Sequence, residues 1–248
     1  MGVVVATRFF ETKAEEKAKK DAREKILKFS GAALAAGAER VLIAVNVGQD
    51  VSDALNLAYP VGVMAFPVQP WGKFAPPLNG ILTKGRKFWA GGDWLLLASA
   101  EVVLTKEAIE VMVSHMTSET LVVGAALEGH QYEPGFHNPA TGRQTPWNTL
   151  ALYNASKLWN GGGFPIFGDG PVDEPANAGV EEVVTIAMIQ SHAAYAAKMV
   201  KVPGQKWDTS GFTDERLAAH EKKMTSKNSR PARQLEVARF QGPMVLHI

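Results

Sequence analysis

Five short, unbroken apolar runs punctuate the first half of the chain: Val3–Ala6, Val41–Val45, Val61–Val68, Trp94–Ala100 and Leu121–Leu127. Runs of this length without polar alternation suit strands covered on both faces, which are typically parallel strands joined by crossover helices. The segments between them carry helical spacing. Ala14, Ala18, Ala22, Ile26, Leu27 and Leu34 recur on one side, with Glu15/Lys19, Glu16/Lys20 and Asp21/Lys25 as i,i+4 pairs on the other. Thr12 and Glu15 form a capping box ahead of that helix, and Gly37 is its stop. Thr105 caps a second helix bearing Ala108, Ile109, Met112 and Met116. Strand, helix, strand, helix in this order predicts an α/β domain with a mostly parallel central sheet flanked by helices.

The pattern changes after Gly129. Residues 129–148 hold Gly, Pro, His, Asn and Gln with little periodicity and read as a long loop. Order returns over Asn148–Lys157, and Asn160–Pro175 is again rich in Gly and Pro. A helix is expected over Val180–Lys198, then a strand at Met199–Val202, then a polar, basic tail beyond Asp208. With no repeat and no obvious linker, residues 1–248 read as one domain. Residues 1–128 and 129–207 form its two halves, and 208–248 its tail.

Composition removes several classes of function. The chain is 46% hydrophobic and 21% charged, which excludes a disordered or coiled-coil protein. A net charge of +1, from 26 basic and 25 acidic residues, supplies no global field for nucleic acid. The absence of cysteine excludes disulfides, thiolate metal sites and a thiol nucleophile, and suits a reducing cytoplasm. No window reaches the roughly 20 apolar residues of a membrane span, and the apolar start is too short for a signal peptide. The expectation is a soluble cytoplasmic protein without nucleic-acid partners.

Familiar motifs are missing too. There is no P-loop, no G-x-G-x-x-G between strand and helix, no H-E-x-x-H and no G-x-S-x-G elbow. What remains is a succession of segments. The second strand ends Val45-Asn46-Val47-Gly48, and Gly72-Lys73-Phe74-Ala75-Pro76-Pro77-Leu78-Asn79-Gly80 follows. The fourth strand runs through Ala98-Ser99-Ala100-Glu101 into a helix. Later come Asn148-Thr149-Leu150, Gly162-Gly163-Phe164-Pro165 and Gly179-Val180-Glu181-Glu182.

This succession resembles the GT-A nucleotide-diphospho-sugar glycosyltransferases, particularly the inverting ones related to cellulose and chitin synthases, over roughly residues 3–203. The resemblance implies a GT-A-like fold. It implies a nucleotide-diphospho-sugar donor held near Thr7, Arg8, Asn46, Lys73, Asn79 and Ser99, and an acceptor of unknown kind. In that family a D-x-D holds Mn²⁺ or Mg²⁺, whereas this chain reads Ala98-Ser99-Ala100 and offers Glu101 as the first carboxylate. The D-x-D is therefore degenerate and the implied metal weak or absent. The family's E-D pair becomes Glu181-Glu182, which keeps both charges and makes Glu182 the implied general base, with Glu181 beside it.

Each residue also has a plainer reading. Glu181 and Glu182 are favourable in a first helical turn for electrostatic reasons alone. Asn79 is a natural turn-closing residue. Trp147, Trp159 and Phe164 suit either an acceptor subsite or ordinary core. Lys73, Arg8 and the basic residues Lys222, Lys223, Lys227, Arg230 and Arg233 are candidates to replace the metal's charge; for the tail the rival is a frayed end. Two alternatives to the transferase stand beside it: a catalytically degenerate binding or regulatory protein on the same fold, and a nucleotidyltransferase. The latter normally carries a glycine-rich loop after the first strand, and Thr7-Arg8-Phe9-Phe10-Glu11 has no glycine.

Overall fold

The computed structural model describes residues 2–10, 16–46, 49–58, 61–89, 94–171, 173–205 and 213–248. The capping box at Thr12 and Glu15 and the strand-end residues Val47 and Gly48 lie outside these segments. Along the chain the elements are β1 (Val3–Phe9), α1 (Glu16–Ala35), β2 (Arg40–Val45), α2 (Gln49–Ala58), β3 (Val63–Pro67), α3 (Ala75–Gly85), β4 (Trp94–Ala98) and α4 (Lys106–Ser114). The second half adds β5 (Thr120–Ala125), β6 (Gly135–His137), β7 (Leu150–Asn154), α5 (Ala155–Asn160), α6 (Glu181–Gln190), β8 (Ala196–Val200), α7 (Asp214–Thr225), α8 (Ser229–Ala238) and β9 (Val245–His247).

All nine described strands join one sheet in the order β3-β2-β1-β4-β7-β5-β8-β9-β6. Parallel pairing links β1 to β2 and β4, β2 to β3, and β8 to β5 and β9. Only β7, against β4 and β5, and β6, against β9, run antiparallel. The α/β architecture with a mostly parallel sheet is therefore present.

The unbroken apolar runs are explained by burial on both faces. Val3, Val5 and Phe9 of β1 pack with Ile26, Phe29 and Ala33 of α1 and Met112 of α4. Val4 and Ala6, pointing the other way, pack with Leu78, Ile81 and Leu82 of α3 and Ile186 and Ile189 of α6. Thr105 caps α4 as expected, its side chain accepting the Ala108 N–H at 3.1 Å.

Three expectations from the second half are corrected. The expected helix over 180–198 stops at Gln190, and β8 begins at Ala196, so apolar spacing alone overran the turn between them. The long loop contains strand β6, which pairs with β9 at the far end of the chain. The tail is not frayed: α8 packs on α6 and β9 is inserted beside β8. A polar sequence looked like a solvated end because its anchoring contacts are few and distant. Arg233 forks onto Glu174, and Gln234 Nε2 donates to the carbonyls of Gly179 and Gly168 at 3.0 and 3.4 Å.

Candidate functional site

Beyond β1 the sheet order turns in two directions, to β2 on one side and β4 on the other. Open α/β sheets bind ligands in the crevice outside the carboxyl ends of strands at such a point. Arg8 stands next to the end of β1, and Ala98 ends β4. Because β7 is antiparallel, its first residue, Leu150, pairs with Ala98, which brings Asn148 to the same edge.

Helix α6 delivers the carboxylates. It is apolar on nearly every side and buried from Glu181 through Ala187, so its first turn carries two acids into the interior. The entry is sharp: Gly179 has φ 90° and Val180, a β-branched residue, has φ 62° in the left-handed region. A β-branched side chain held there is strained, and such strain persists only where the surroundings impose it. Arg230 and Gln234 of α8 supply that constraint, donating to the carbonyls of Ala178 at 2.6 Å and Gly179 at 3.0 Å.

Glu181 and Glu182 are each 3% exposed. Asn148 Nδ2 donates to both, at 3.1 Å to Glu181 Oε1 and 3.4 Å to Glu182 Oε2, and its own oxygen accepts the Tyr153 hydroxyl at 2.8 Å. The Arg8 guanidinium lies 3.7 Å from Glu181 Oε1, rests 5.1 Å above the Phe74 ring and donates to the Phe74 carbonyl. From the far end of the chain comes Lys227, its ammonium 3.4 Å from the centroid of the Trp147 ring.

This packing shifts the titrations. Burial, and then the charge of Glu181, push Glu182 up to about 8 against an ordinary value of 4.5. Burial pulls Lys227 down to about 8, with the two carboxylates opposing the fall. Burial thus works against charge on both groups, raising the carboxyl and lowering the ammonium. His130, stacked 3.6 Å from Trp147, is pulled down to about 3 by burial and stays neutral.

The residues expected from sequence divide into groups. Arg8, Glu181 and Glu182 are brought together. Thr7 is buried and, one residue from Arg8 on a strand, faces the α1 side. Asn46 follows β2, its N–H donating to the Phe9 carbonyl at 3.3 Å. Lys73 is exposed in the turn before α3, where its backbone N–H donates to Asp169. Asn79 uses its side-chain amide on the backbone of Phe164, donating at 2.8 Å and accepting at 2.9 Å, and so pins α3 to the turn at Gly161–Gly163. Trp147 and Phe164 are core residues, 1% exposed.

Glu101 is not brought to the carboxylate pair. Its Oε2 accepts the Ser99 hydroxyl, and its Oε1 lies 3.4 Å from the ammonium of Lys25 on α1, the helix covering the opposite face from α6. A divalent ion there would displace a lysine and find a single carboxylate. Among the described residues no three His, Cys, Asp or Glu converge in a metal-binding group. The side chains present do not fit a D-x-D type metal site.

Asn148 and Tyr153 lie in the Asn148–Phe164 stretch expected on the acceptor side, and neither they nor Phe74 had an individual role assigned from sequence. Asn148 stood within a quoted segment, but nothing local revealed that β7 runs antiparallel. Among the described residues no helix is long and apolar enough to cross a membrane.

No protein-family model matches the chain, and comparison with curated proteins gives no match. Solved structures do resemble it. S. aureus TarS is similar with a TM-score of 0.57 at 12% identity, covering 95% of this chain and 44% of TarS. Glucosyl-3-phosphoglycerate synthase from Mycobacterium tuberculosis, solved with Mn²⁺, uridine diphosphate and phosphoglyceric acid, gives 0.54 at 12% identity, covering 94% of this chain and 78% of that one. A 4-diphosphocytidyl-2C-methyl-D-erythritol synthase gives 0.50 at 14% identity, covering 90% and 98%. The chain thus spans under half the length of TarS. At these identities the likeness is one of fold, and the fold is GT-A-like.

Proposed function

We propose that this chain transfers a sugar from a nucleotide-diphospho-sugar to an acceptor hydroxyl with inversion. The observation that carries this reading is the Glu181–Glu182 pair in the first turn of α6, joined by Arg8 and Asn148 at the carboxyl edge of β1 and β4. Solved neighbours of the fold with bound uridine diphosphate, TarS and the glucosyl-3-phosphoglycerate synthase, support a nucleotide ligand.

In the reaction the acceptor oxygen attacks the anomeric carbon while the bond to the diphosphate breaks and its electrons pass to the leaving group. Glu182 takes the hydroxyl proton, and a base poised near pH 8 suits that task. Arg8, beside Glu181 at the carboxyl edge, is the cation that would meet the charge developing on the departing diphosphate. Rate should then rise with pH through about 8 as Glu182 ionises.

The test is a thermal-shift screen of UDP-, GDP-, dTDP- and CDP-sugars with and without Mn²⁺, followed by release of nucleoside diphosphate from the sugar that binds. A ligand at a hundredfold excess over Kd adds roughly 2.7 kcal/mol. Binding with turnover that Glu182→Gln abolishes supports the proposal. Binding without turnover supports the second reading, a degenerate binding protein, which the near-complete burial of both carboxylates and the engagement of Glu101 by Lys25 favour. Pyrophosphate release from a nucleoside triphosphate and a sugar phosphate would favour a nucleotidyltransferase, the reading aided by the full-length match to the cytidyl-containing synthase.

A further inference from the structure

The amino edge of the sheet, opposite the carboxylates, holds a cluster of cations that the transfer reaction does not use. Arg40 opens β2, Met64 lies at the start of β3, and Lys84, Arg86 and Lys87 surround the C-terminal end of α3. Met64, Thr83 and the three α3 cations line a shallow cavity of about 670 Å³. Each cation lies over an aromatic ring: Arg40 and Lys87 over Phe88 at 4.4 and 5.0 Å, Lys84 over Phe66 at 5.9 Å, and Arg86 over Trp159 at 5.1 Å.

Among the described residues none of the four side chains makes an ion pair or a hydrogen bond. The Nε of Arg40 is buried and has no partner at all. Glu39, the neighbouring acid, turns its carboxylate toward Gly2. A helix C-terminus attracts cations, which accounts for Lys84 and Arg86. It does not account for Arg40, which comes from another element.

The same edge carries exposed aliphatic side chains. Leu57, in the last turn of α2, is 82% exposed, and Val61, three residues before Met64, is 84% exposed. They are the most exposed large apolar residues among those described. Bare aliphatics and unpaired cations on one edge of the sheet match the two halves of a bilayer interface, apolar acyl boundary and anionic headgroup.

We infer that the amino edge docks on an anionic lipid surface, with Arg40, Lys84, Arg86 and Lys87 meeting headgroup phosphates and Leu57 and Val61 entering the interfacial layer. Nucleic acid fits less well, because the aromatic rings are covered by cations instead of standing open for base stacking. A chain with net charge +1 has no long-range pull toward either, so the contact is local.

The experiment is co-sedimentation with phosphatidylcholine vesicles and with 3:1 phosphatidylcholine:phosphatidylglycerol vesicles, at 0.1 and 0.5 M salt. The protein should bind only the anionic vesicles and be released by high salt. Each cation contributes about a fivefold gain in partitioning, so Lys84→Gln/Arg86→Gln/Lys87→Gln should lose about a hundredfold. Leu57→Ser/Val61→Ser should weaken binding without changing its salt dependence. Circular dichroism and melting of both variants, all at exposed positions, check that the fold is intact. No sedimentation, equal binding to neutral vesicles, or an unaffected triple variant would overturn the inference. So would short duplex DNA bound more tightly than vesicles and indifferent to the Leu57/Val61 change. None of these outcomes depends on whether the transferase reading holds.

Discussion

Replacing Glu182 by Gln gives a prediction whose sign distinguishes two pictures of the buried carboxylates. In the folded protein the acid titrates at about 8, against 4.5 when free. Between those values the folded state holds a proton that the unfolded state has lost. Stability is therefore whole below pH 4.5 and falls as pH rises to about 8. At roughly 1.4 kcal/mol per unit, the wild type loses about 5 kcal/mol across the window, of which about 3 kcal/mol is gone by pH 7. Gln is the neutral isostere of the protonated acid and cannot ionise. The variant should match the wild type near pH 4.5 and be the more stable protein above pH 7, by a margin that grows up to pH 8. Lys227 works against this gain, because without the Glu182 carboxylate its proton affinity in the folded state falls further below that of the unfolded chain. Urea unfolding followed by tryptophan fluorescence at pH 5, 7 and 8.5, with constant ionic strength and an unchanged m-value, measures the gap. A variant less stable than wild type at pH 8.5 would refute the reasoning, since that sign requires a Glu182 ionised at little cost among its neighbouring cations.

Two other predictions concern residues that hold the site's surroundings. Asp169 accepts the N–H groups of Lys73, Phe74 and Ala75 at 3.0, 2.6 and 2.8 Å, and so caps α3 from a distance. Asp169→Ala should cost about 2–3 kcal/mol, a fall in Tm of about 5–10 °C by differential scanning calorimetry, and an unchanged Tm would show that water replaces the cap without cost. Asn79→Ala leaves the Phe164 N–H and carbonyl unpaired against a buried ring, for about 2 kcal/mol and a Tm lower by about 4–8 °C. Asn79→Asp keeps the acceptor and should lie between the two, so an Asp variant as unstable as the Ala variant would contradict the two-bond clamp.

The strands were legible because a segment buried on both faces has to be apolar throughout, as Val41–Val45 is, whatever lies around it. Helix α4 was legible through its Thr105 cap, a local interaction spanning three residues. Local cues misled where two elements were joined by an apolar stretch, as between α6 and β8. They were silent where the partner lay far off in the chain. Asp169 reaches back 94–96 residues to cap α3, and Gln234 reaches back 55 to hold Gly179. Phe74, the residue at the cap position, has no capping side chain of its own, so nothing near α3 signalled how its first turn is satisfied.

The amino-acid order by itself determined the α/β layout and the presence of two adjacent acids after a glycine turn. Both depend on periodicity and on residue chemistry within a few positions. Only the tertiary structure decided what those acids experience. Their burial, their shared Asn148, the guanidinium of Arg8 and the ammonium of Lys227 come from four separate parts of the chain. It also drew Glu101 away to Lys25 on the other face of the sheet. Titration and ion pairing follow the environment in three dimensions, because desolvation and Coulomb energy depend on distance through space and not along the sequence.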